Sequence, residues 1–341
     1  MIIHFDYSIE EIEMLSPAVV GEVIHHLCHC SSQGSHLLIL SRSLSQNLLT
    51  KEISPFERAV ITRLANNYSQ VGGLLDGGMQ YIRICKDQNS YKDFAIPMNL
   101  DVLLSGAFSR PTQMIVENKK RDGGVYRIII ESHAKRARLP HVSLEFVHGG
   151  GGDVEECFLA LVEVSGVYVA LTDSDRKTPF DRGNQKVSRI ALSMKPAATT
   201  LCAAYETPTH ELENFLSVLE LEKLEQWNSN ADRGIYVKIF EEWKQGRCNL
   251  YPFIDLKNGF GHLSDKMSQQ SLDWIEEKSQ KYGFSIIKGF GDKIPISVIE
   301  SDEAQSVFHR TMREKYWGRN FDVFCFTLLE WVVADRKFRA A

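Results

Sequence analysis

Short apolar segments alternate with helical patterns along the middle of the chain. Residues 114–116 form a short apolar run, residues 124–137 follow a helical pattern, and residues 142–147 alternate between apolar and polar positions like a strand. A second helical pattern over 153–164 precedes 167–171, a continuous apolar run typical of a strand buried on both faces. This succession predicts an α/β fold in which helices flank a parallel sheet.

Helical patterns dominate the first hundred residues. Capping boxes that begin at Ser8 and at Ser54 predict a helix through residue 29, with a break near Pro17, and a second helix to about residue 67. A strand is predicted over 79–85, whereas the apolar run 36–41 is too short to assign. This part of the chain is therefore predicted to be mainly helical.

The last third of the chain is predicted to be largely helical, with two further strands. Helical patterns cover 212–227, 235–245, 264–281 and 302–338, and strand-like runs cover 251–256 and 284–288. The changes of pattern indicate three parts, namely an N-terminal region over 1–105, a parallel-sheet core over 106–225 and a C-terminal extension over 226–341.

Composition and charge narrow the classes of function. The chain has 341 residues, a net charge of −5 and seven cysteines scattered along the sequence. An acidic chain does not bind nucleic acid through diffuse charge, so such binding requires local basic patches or metal ions. No apolar run approaches the roughly 18–20 residues that cross a bilayer, and the chain begins without a signal-peptide pattern. We therefore expect no membrane association and a cytoplasmic protein with reduced thiols.

Carboxylates directly follow two of the predicted core strands. Glu117 comes after the first strand, with Asp122 five residues later, and Asp173 and Asp175 come after the strand at 167–171. Side chains two residues apart on an extended segment leave the same face, and neighbouring parallel strands end side by side, so we expect these acids to converge. Such a cluster repels itself unless a cation neutralises it, and oxygen ligands without nearby His or Cys favour Mg²⁺ or Mn²⁺.

Five segments of the chain resemble a known family. IVENKKRDGGVY at 115–126, HGGGG at 148–152 and VYVALTDSD at 167–175 resemble the TOPRIM fold of topoisomerases, DnaG-type primases and a group of nucleases. THELENFL at 209–216 and FIDLKNG at 253–259 resemble later segments of the OLD (overcoming lysogenisation defect) nucleases, which have relatives among bacterial anti-phage effectors. The resemblance spans about 112–261 and departs from the family at two positions. Asp122 comes one residue later than usual, after Asn118 in place of glycine, and His210 replaces an arginine.

The resemblance implies a role for each matching residue. Glu117 would ligate metal or act as a general base, Asp173 and Asp175 would hold Mg²⁺, and Lys257 would stabilise charge on the phosphate or the leaving oxygen. Glu211 or Glu213 would complete a second metal position, and Asp122 is a further candidate ligand, so two Mg²⁺ or Mn²⁺ ions are expected. Basic residues beside these acids predict contacts with a phosphate backbone, namely Lys119, Lys120, Arg121, Arg176 and Lys177.

Three of these residues also have simpler interpretations. Glu211 and Glu213 could be first-turn acids of a helix, where the helix dipole favours negative charge. Lys257 could be a turn lysine that precedes Gly259. The choice between Glu211 and Glu213 as the metal ligand therefore stays open.

Two other motifs do not indicate a zinc site or a phosphate-binding loop. The stretch 25–30 is rich in His and Cys, but it falls in a predicted helix without a second pair of ligands, which argues against a zinc site. The glycines at 149–152 are not followed by Gly-Lys-Ser/Thr, so they do not form a P-loop. The chain therefore lacks the ATPase motif that many OLD proteins carry.

The leading hypothesis is a metal-dependent endonuclease of the OLD-like TOPRIM group. The resemblance implies a toxic effector of anti-phage defence that cleaves DNA or transfer RNA and is regulated by a partner such as an ATPase sensor or a reverse transcriptase. Residues 1–105 would serve for docking or substrate selection, 106–225 would be the catalytic core, and 226–341 would complete the active site. A homodimer is one option for the assembly. The alternative function is a non-catalytic TOPRIM-like subunit that binds nucleic acid or acts as a scaffold. Topoisomerase activity is not expected, because it requires a nucleophilic tyrosine in a separate domain and the sequence has no signature of one.

Overall fold

The computed structural model describes residues 1–89, 92–151, 153–223, 232–261, 267–312 and 319–338. Within them the chain is an α/β protein with two parallel four-stranded sheets flanked by helices. The prediction of a parallel sheet with flanking helices is confirmed.

The N-terminal region contains the first parallel sheet. Its elements are β1 (Ile2–Phe5), α1 (Ile9–Glu13), α2 (Pro17–Gln33), β2 (Leu37–Leu40), α3 (Arg42–Leu49), α4 (Pro55–Val71), β3 (Tyr81–Ile84), β4 (Ala95–Met98) and α5 (Leu100–Leu104). The strand order is β2-β1-β3-β4. Both predicted capping boxes are present, and they start α1 and α4.

The prediction of a mainly helical N-terminal region was incomplete, because it named only one of the strands of this sheet. β1 and β2 are four-residue runs that are buried throughout. A short buried run has no alternation of apolar and polar positions, so its periodicity does not distinguish it from a piece of buried helix. The parallel pairing of Ile2–Phe5 with Leu37–Leu40 assigns both runs as strands.

The second parallel sheet lies in the middle of the chain. This part of the chain contains β5 (Thr112–Val116), α6 (Arg121–Arg136), β6 (His141–Val142), β7 (Leu144–His148), α7 (Val154–Leu161), β8 (Gly166–Thr172), α8 (Lys186–Ser193) and β9 (Thr200–Glu206), of which β6 lies outside this sheet. The strand order is β7-β5-β8-β9, with every neighbouring pair parallel. β8 is buried at every position, as its continuous apolar sequence predicts. The sequence analysis did not identify β9, whose last five residues are only half-buried.

The remaining elements are short and mostly helical. They are α9 (Val218–Leu221), α10 (Arg233–Lys244), β10 (Gly259–Phe260), α11 (Gln269–Tyr282), β11 (Ile287–Lys288), α12 (Ile294–Glu300), α13 (Asp302–Thr311), α14 (Arg319–Val332) and β12 (Val333–Ala334). β12 pairs with β6 and β10 pairs with β11, both antiparallel.

Three predicted elements of this part differ in the structure, and one is the helix predicted over 302–338, which contains α13 and α14 but ends in the strand β12. The strand predicted over 251–256 is a 3₁₀ turn, Tyr251–Phe253, followed by loop, because Pro252 has no N–H to donate to a strand ladder. The helix predicted over 212–227 begins as a 3₁₀ turn, Leu212–Phe215, and continues as α9, while its end lies outside the described residues. Asn214 donates to the carbonyl oxygens of Tyr251 and Ile254 at 2.9 and 2.8 Å, which ties this turn to the later loop.

Both faces of the second sheet are covered. Met114 and Val116 of β5 belong to a large core that extends into the N-terminal sheet and into α14. Ile115, on the opposite face, packs in a smaller cluster with Phe158 of α7 and Ile190 of α8. The strands that carry the candidate site are thus fixed from both sides.

The smaller cluster makes a testable contribution to stability. We expect Phe158→Ala to lower the free energy of unfolding by about 3–5 kcal/mol, because the fully buried ring leaves a cavity between α7 and the sheet. Leu192→Ala on α8 is the control, since that side chain is 88% exposed. Equilibrium denaturation in urea measures both changes, and equal small effects would contradict the described packing.

Candidate active site

Two neighbouring strands of the second sheet end in predicted site residues. β5 and β8 pair in parallel, with Ile115 opposite Ala170. Glu117 directly follows β5 and Asp173 directly follows β8. Since the carboxyl ends of parallel strands lie at the same edge of a sheet, both acids leave the sheet at that edge.

The charges of four acids act on the buried phenol of Tyr126. This side chain lies on α6 and is 2% exposed. Burial, and then the negative charges of Asp173, Asp122, Glu213 and Glu117, raise the pKa of Tyr126 well above its usual value. Acids from three separate segments of the chain are therefore close to one buried ring.

The segment after β9 brings two further glutamates to this group. The backbone N–H of Leu212 donates to Asp173 Oδ1 at 2.9 Å, which holds the 3₁₀ turn against the end of β8. Glu211 and Glu213 flank Leu212, and their side chains are 12% and 3% exposed. Glu211 is the N-cap residue and Glu213 lies in the first turn of this 3₁₀ helix, so the interpretation as first-turn acids fits their positions, while their burial shows that they are not solvated.

Lys257 lies between the two glutamates. Its Nζ atom is 3.3 Å from Glu211 Oε1 and 3.0 Å from Glu213 Oε1. Burial opposes the charged form of this lysine, but the charges of Glu213, Glu211 and Asp173 raise its pKa above the usual value. Lys257 lies in the turn before Gly259, as the simpler interpretation expects, and it is also a cation that pairs with two acids of the cluster.

The acids outnumber the cations that neutralise them. Burial, followed by the charges of Glu213 and Glu211, raises the pKa of Asp173 well above its usual range. Burial and the charge of Glu213 raise the pKa of Glu211 to about 7. Glu211 Oε2 is also buried and has no hydrogen-bond partner among the described residues. Buried carboxylate oxygens with unmet charge fit a hard divalent cation such as Mg²⁺ or Mn²⁺.

Asp122 faces the cluster but also closes its own turn. The backbone N–H of Asn118 donates to Asp122 Oδ2 at 2.7 Å at the start of α6. Burial raises the pKa of Asp122 to about 6, against the lowering effect of this hydrogen bond. The charge of Glu213 also raises the pKa of Asp122.

Asp175 does not follow the extended path on which the sequence argument relied. Its φ is +54°, which is left-handed, and its side chain is exposed. The side-chain amide of Asn184 donates to Asp175 Oδ2 at 3.0 Å and to the carbonyl oxygen of Asp173 at 2.5 Å. The structure therefore places Asp173 in the buried cluster and Asp175 at its exposed margin.

Lys186 belongs to the basic residues that follow Asp175, for which the sequence suggests backbone contact, but its contact with Glu117 was not predicted. Its Nζ atom lies 2.5 Å from Glu117 Oε1, and the side chain is 19% exposed. The lysine reaches Glu117 because the loop after β8 folds back, with the N–H of Asn184 donating to the carbonyl oxygen of Ser174 at 3.0 Å. Gly183 has a φ of +70°, and a Cβ there would lie 2.6 Å from Ser174 O. Gly183 is therefore the residue in the sequence that indicates this tight turn of the loop.

His210 and Asp255 form a further contact at the edge of the cluster. His210 Nε2 is 3.6 Å from Asp255 Oδ2, and its Nδ1 is 3.1 Å from the carbonyl oxygen of Arg176. Within the described residues, His210, Glu211 and Asp255 are the group of three side chains whose ligand atoms all lie within 4.8 Å of one another, and the expected ligands Asp173, Asp175 and Glu213 do not form such a group. His210 thus pairs with the aspartate that precedes Lys257 by two residues.

The predicted phosphate-contacting residues lie around the cluster. Lys119 and Lys120 are exposed directly after Glu117, and Lys120 Nζ is 3.6 Å from Glu300. Arg121 is half-buried on the first turn of α6. Arg176 lies 3.8 Å from Glu206. These residues carry positive charge on both segments that flank the acids.

A pocket lies next to the segment that carries Lys257. It encloses about 190 Å³, and its walls include Lys177, Asp255 and Asn258 on the polar side and Phe253, Phe260 and Ile275 on the apolar side. Because Asp255 also contacts His210, the pocket adjoins the acidic cluster. It offers apolar surface beside charged groups.

Comparisons with known proteins identified no relative. No protein-family model, curated protein or solved structure matches this chain. Among the described residues, no helix has the length and apolar character required to span a bilayer. Any proposal about function therefore depends on the residues and geometry described above.

The raised acid pKa values predict how stability depends on pH without metal. A carboxyl group with a raised pKa in the folded state stabilises the fold when protonated, so stability should fall as pH rises from about 4.5 to 7. Glu211→Gln should remove on the order of 2 kcal/mol of this loss, since one pKa unit corresponds to about 1.4 kcal/mol.

Urea unfolding at several pH values in EDTA measures this dependence. Glu52→Gln, at an exposed glutamate of the N-terminal region, is the matched control and should keep the pH slope of the original chain. An unchanged slope in Glu211→Gln would show that this glutamate is not held in a repulsive buried cluster.

Proposed function

We propose that the chain is a metal-dependent endonuclease of the OLD-like TOPRIM group, which hydrolyses phosphodiester bonds of nucleic acid. The observation that supports this most strongly is the group of Glu117, Asp173, Glu211 and Glu213 at the end of a parallel sheet, with Lys257 among them. Buried acids in excess over cations destabilise a fold, so their presence argues for a function that uses them.

The acidic cluster would hold Mg²⁺ or Mn²⁺, with Asp173, Glu211 and Glu213 as the central ligands. Asp122 and Asp175 are further candidates at the margins of the cluster. Two bound ions would supply Lewis acidity at the phosphate and lower the pKa of the attacking water. All of these ligands offer oxygen atoms, which is the preference of Mg²⁺.

Two residues of the chain would act on the substrate directly. Glu117 is one-third exposed at the end of β5, so it can ligate a second metal ion or accept a proton from an attacking water. Lys257 stays protonated, and its charge would stabilise the negative charge that develops on the phosphate or on the leaving oxygen. The basic residues around the cluster would contact neighbouring backbone phosphates without reading bases.

The substrate and the biological setting follow from the resemblance. We infer DNA or transfer RNA as the substrate, and the adjoining pocket with its aromatic wall could accept a part of the strand next to the scissile bond. The proposal includes a toxic role in anti-phage defence in the cytoplasm. An ATPase sensor or a reverse transcriptase would regulate the enzyme, and residues 1–105 would serve as a docking region.

One observation favours the alternative of a non-catalytic subunit. Lys186 and Lys257 already neutralise part of the acidic cluster, as they would in a protein that binds nucleic acid without cleaving it. The two functions differ in one measurable property, which is cleavage that depends on a divalent metal.

The test is incubation of the purified chain with plasmid, single-stranded DNA or transfer RNA, with and without Mg²⁺ or Mn²⁺. We expect cleavage that requires metal and falls at least about 100-fold in Asp173→Ala, because the variant removes a central ligand. Asp76→Ala, at an exposed aspartate of the N-terminal region, should retain activity. Binding of nucleic acid without cleavage under every metal would instead support the non-catalytic subunit.

A further inference from the structure

Two lysines form ion pairs with different acids of the cluster. Lys257 pairs with Glu211 and Glu213, whereas Lys186 pairs with Glu117 at 2.5 Å. The family resemblance gives Lys257 a role but gives none to Lys186. The function of the second lysine has to be inferred from its contacts.

The loop after β8 holds Lys186 in place. Asn184 Oδ1 accepts a hydrogen bond from the N–H of Lys186 at 2.9 Å, while Asn184 Nδ2 donates to the carbonyl oxygen of Asp173. Gln185, between them, has a left-handed φ of +57°. One asparagine thus fixes the backbone of Lys186 relative to the end of β8, and the ammonium group reaches Glu117 with most of its side chain buried.

An ammonium group and a divalent cation compete for one carboxylate. While Lys186 contacts Glu117, a metal ion bound to that carboxylate would lie only a few ångströms from another cation, and like charges at that separation repel strongly. Asp173 has no lysine within ion-pairing distance among the described residues. A first divalent ion can therefore bind the Asp173 carboxylate without displacing an ammonium group.

We propose that Lys186 competes with the second metal ion for Glu117. The cluster binds a first divalent ion at Asp173 and at Glu211 Oε2, the oxygen that has no hydrogen-bond partner among the described residues, and a second ion binds only after the Lys186 ammonium group leaves Glu117. A phosphate group of the substrate is an anion that the released lysine can contact. Binding of nucleic acid and binding of the second ion therefore favour each other. This inference rests on the proposed metal-dependent nuclease function.

Titration of the metal-free protein with Mn²⁺ tests the competition directly. Isothermal calorimetry of the original chain should show one ion bound tightly and a second bound at least tenfold more weakly. Lys186→Met should tighten the second ion tenfold or more and leave the first unchanged, and Lys186→Gln serves as a second variant. Lys186→Arg keeps the positive charge and should retain the weak second site.

A matched variant separates this contact from a general change of charge. Lys195 is exposed two residues beyond the end of α8, so Lys195→Met removes the same charge without touching Glu117. Its second site should stay weak. In a Glu117→Gln background, Lys186→Met should have no effect on Mn²⁺ binding, because the contested carboxylate is gone.

The outcomes distinguish the inference from the proposed function. If the original chain binds no Mn²⁺, both the nuclease proposal and the inference are wrong. If Mn²⁺ binds but Lys186→Met leaves the second site unchanged or weaker, only the inference is overturned. An equal gain in Lys195→Met would also overturn it, since the effect would then be long-range electrostatics.

Discussion

Repulsion among buried carboxylates is the constraint on which the candidate site depends. Two unit charges about 4 Å apart interact by about 4 kcal/mol at the effective dielectric constant of a protein near its surface. Several such pairs would open the site if nothing opposed them. Lys257 between Glu211 and Glu213, and Lys186 at Glu117, offset part of this repulsion. Burial first, and then the remaining repulsion, raise the pKa values of Asp173 and Asp122.

The rest of the fold keeps these acids together. β5 and β8 are central strands of a sheet whose two faces are both covered, so their ends do not move apart without breaking a core. Thr112, at the start of β5, also donates to the carbonyl oxygen of Trp331 at 2.5 Å. A site that carries unfavourable charge requires rigid support of this kind.

In the N-terminal sheet, the acid at the carboxyl end of a strand is neutralised by neighbouring cations. Asp6 directly follows β1, as Asp173 follows β8. Asp6 Oδ2 accepts hydrogen bonds from Arg83 Nε at 2.6 Å and from Lys92 Nζ at 2.7 Å. Although burial opposes it, these two cations lower the pKa of Asp6, whereas the pKa of Asp173 is raised. The strand-end acid Asp6 of the N-terminal sheet is therefore paired with two cations, whereas Asp173 of the second sheet has no ion-pair partner among the described residues.

The amino-acid sequence by itself determined the parallel core and the acids that follow its strands. A continuous apolar run such as β8 predicts a buried strand, and the position of Asp173 directly after it is a property of the chain. The short strands β1 and β2, the loop in place of the predicted strand at 251–256, and the left-handed Asp175 required the tertiary structure. So did the contact between Lys186 and Glu117, because those residues are 69 positions apart. Local patterns of apolar and polar residues indicate which face of a helix or strand is buried. Contacts between loops depend instead on the tertiary structure of the whole chain.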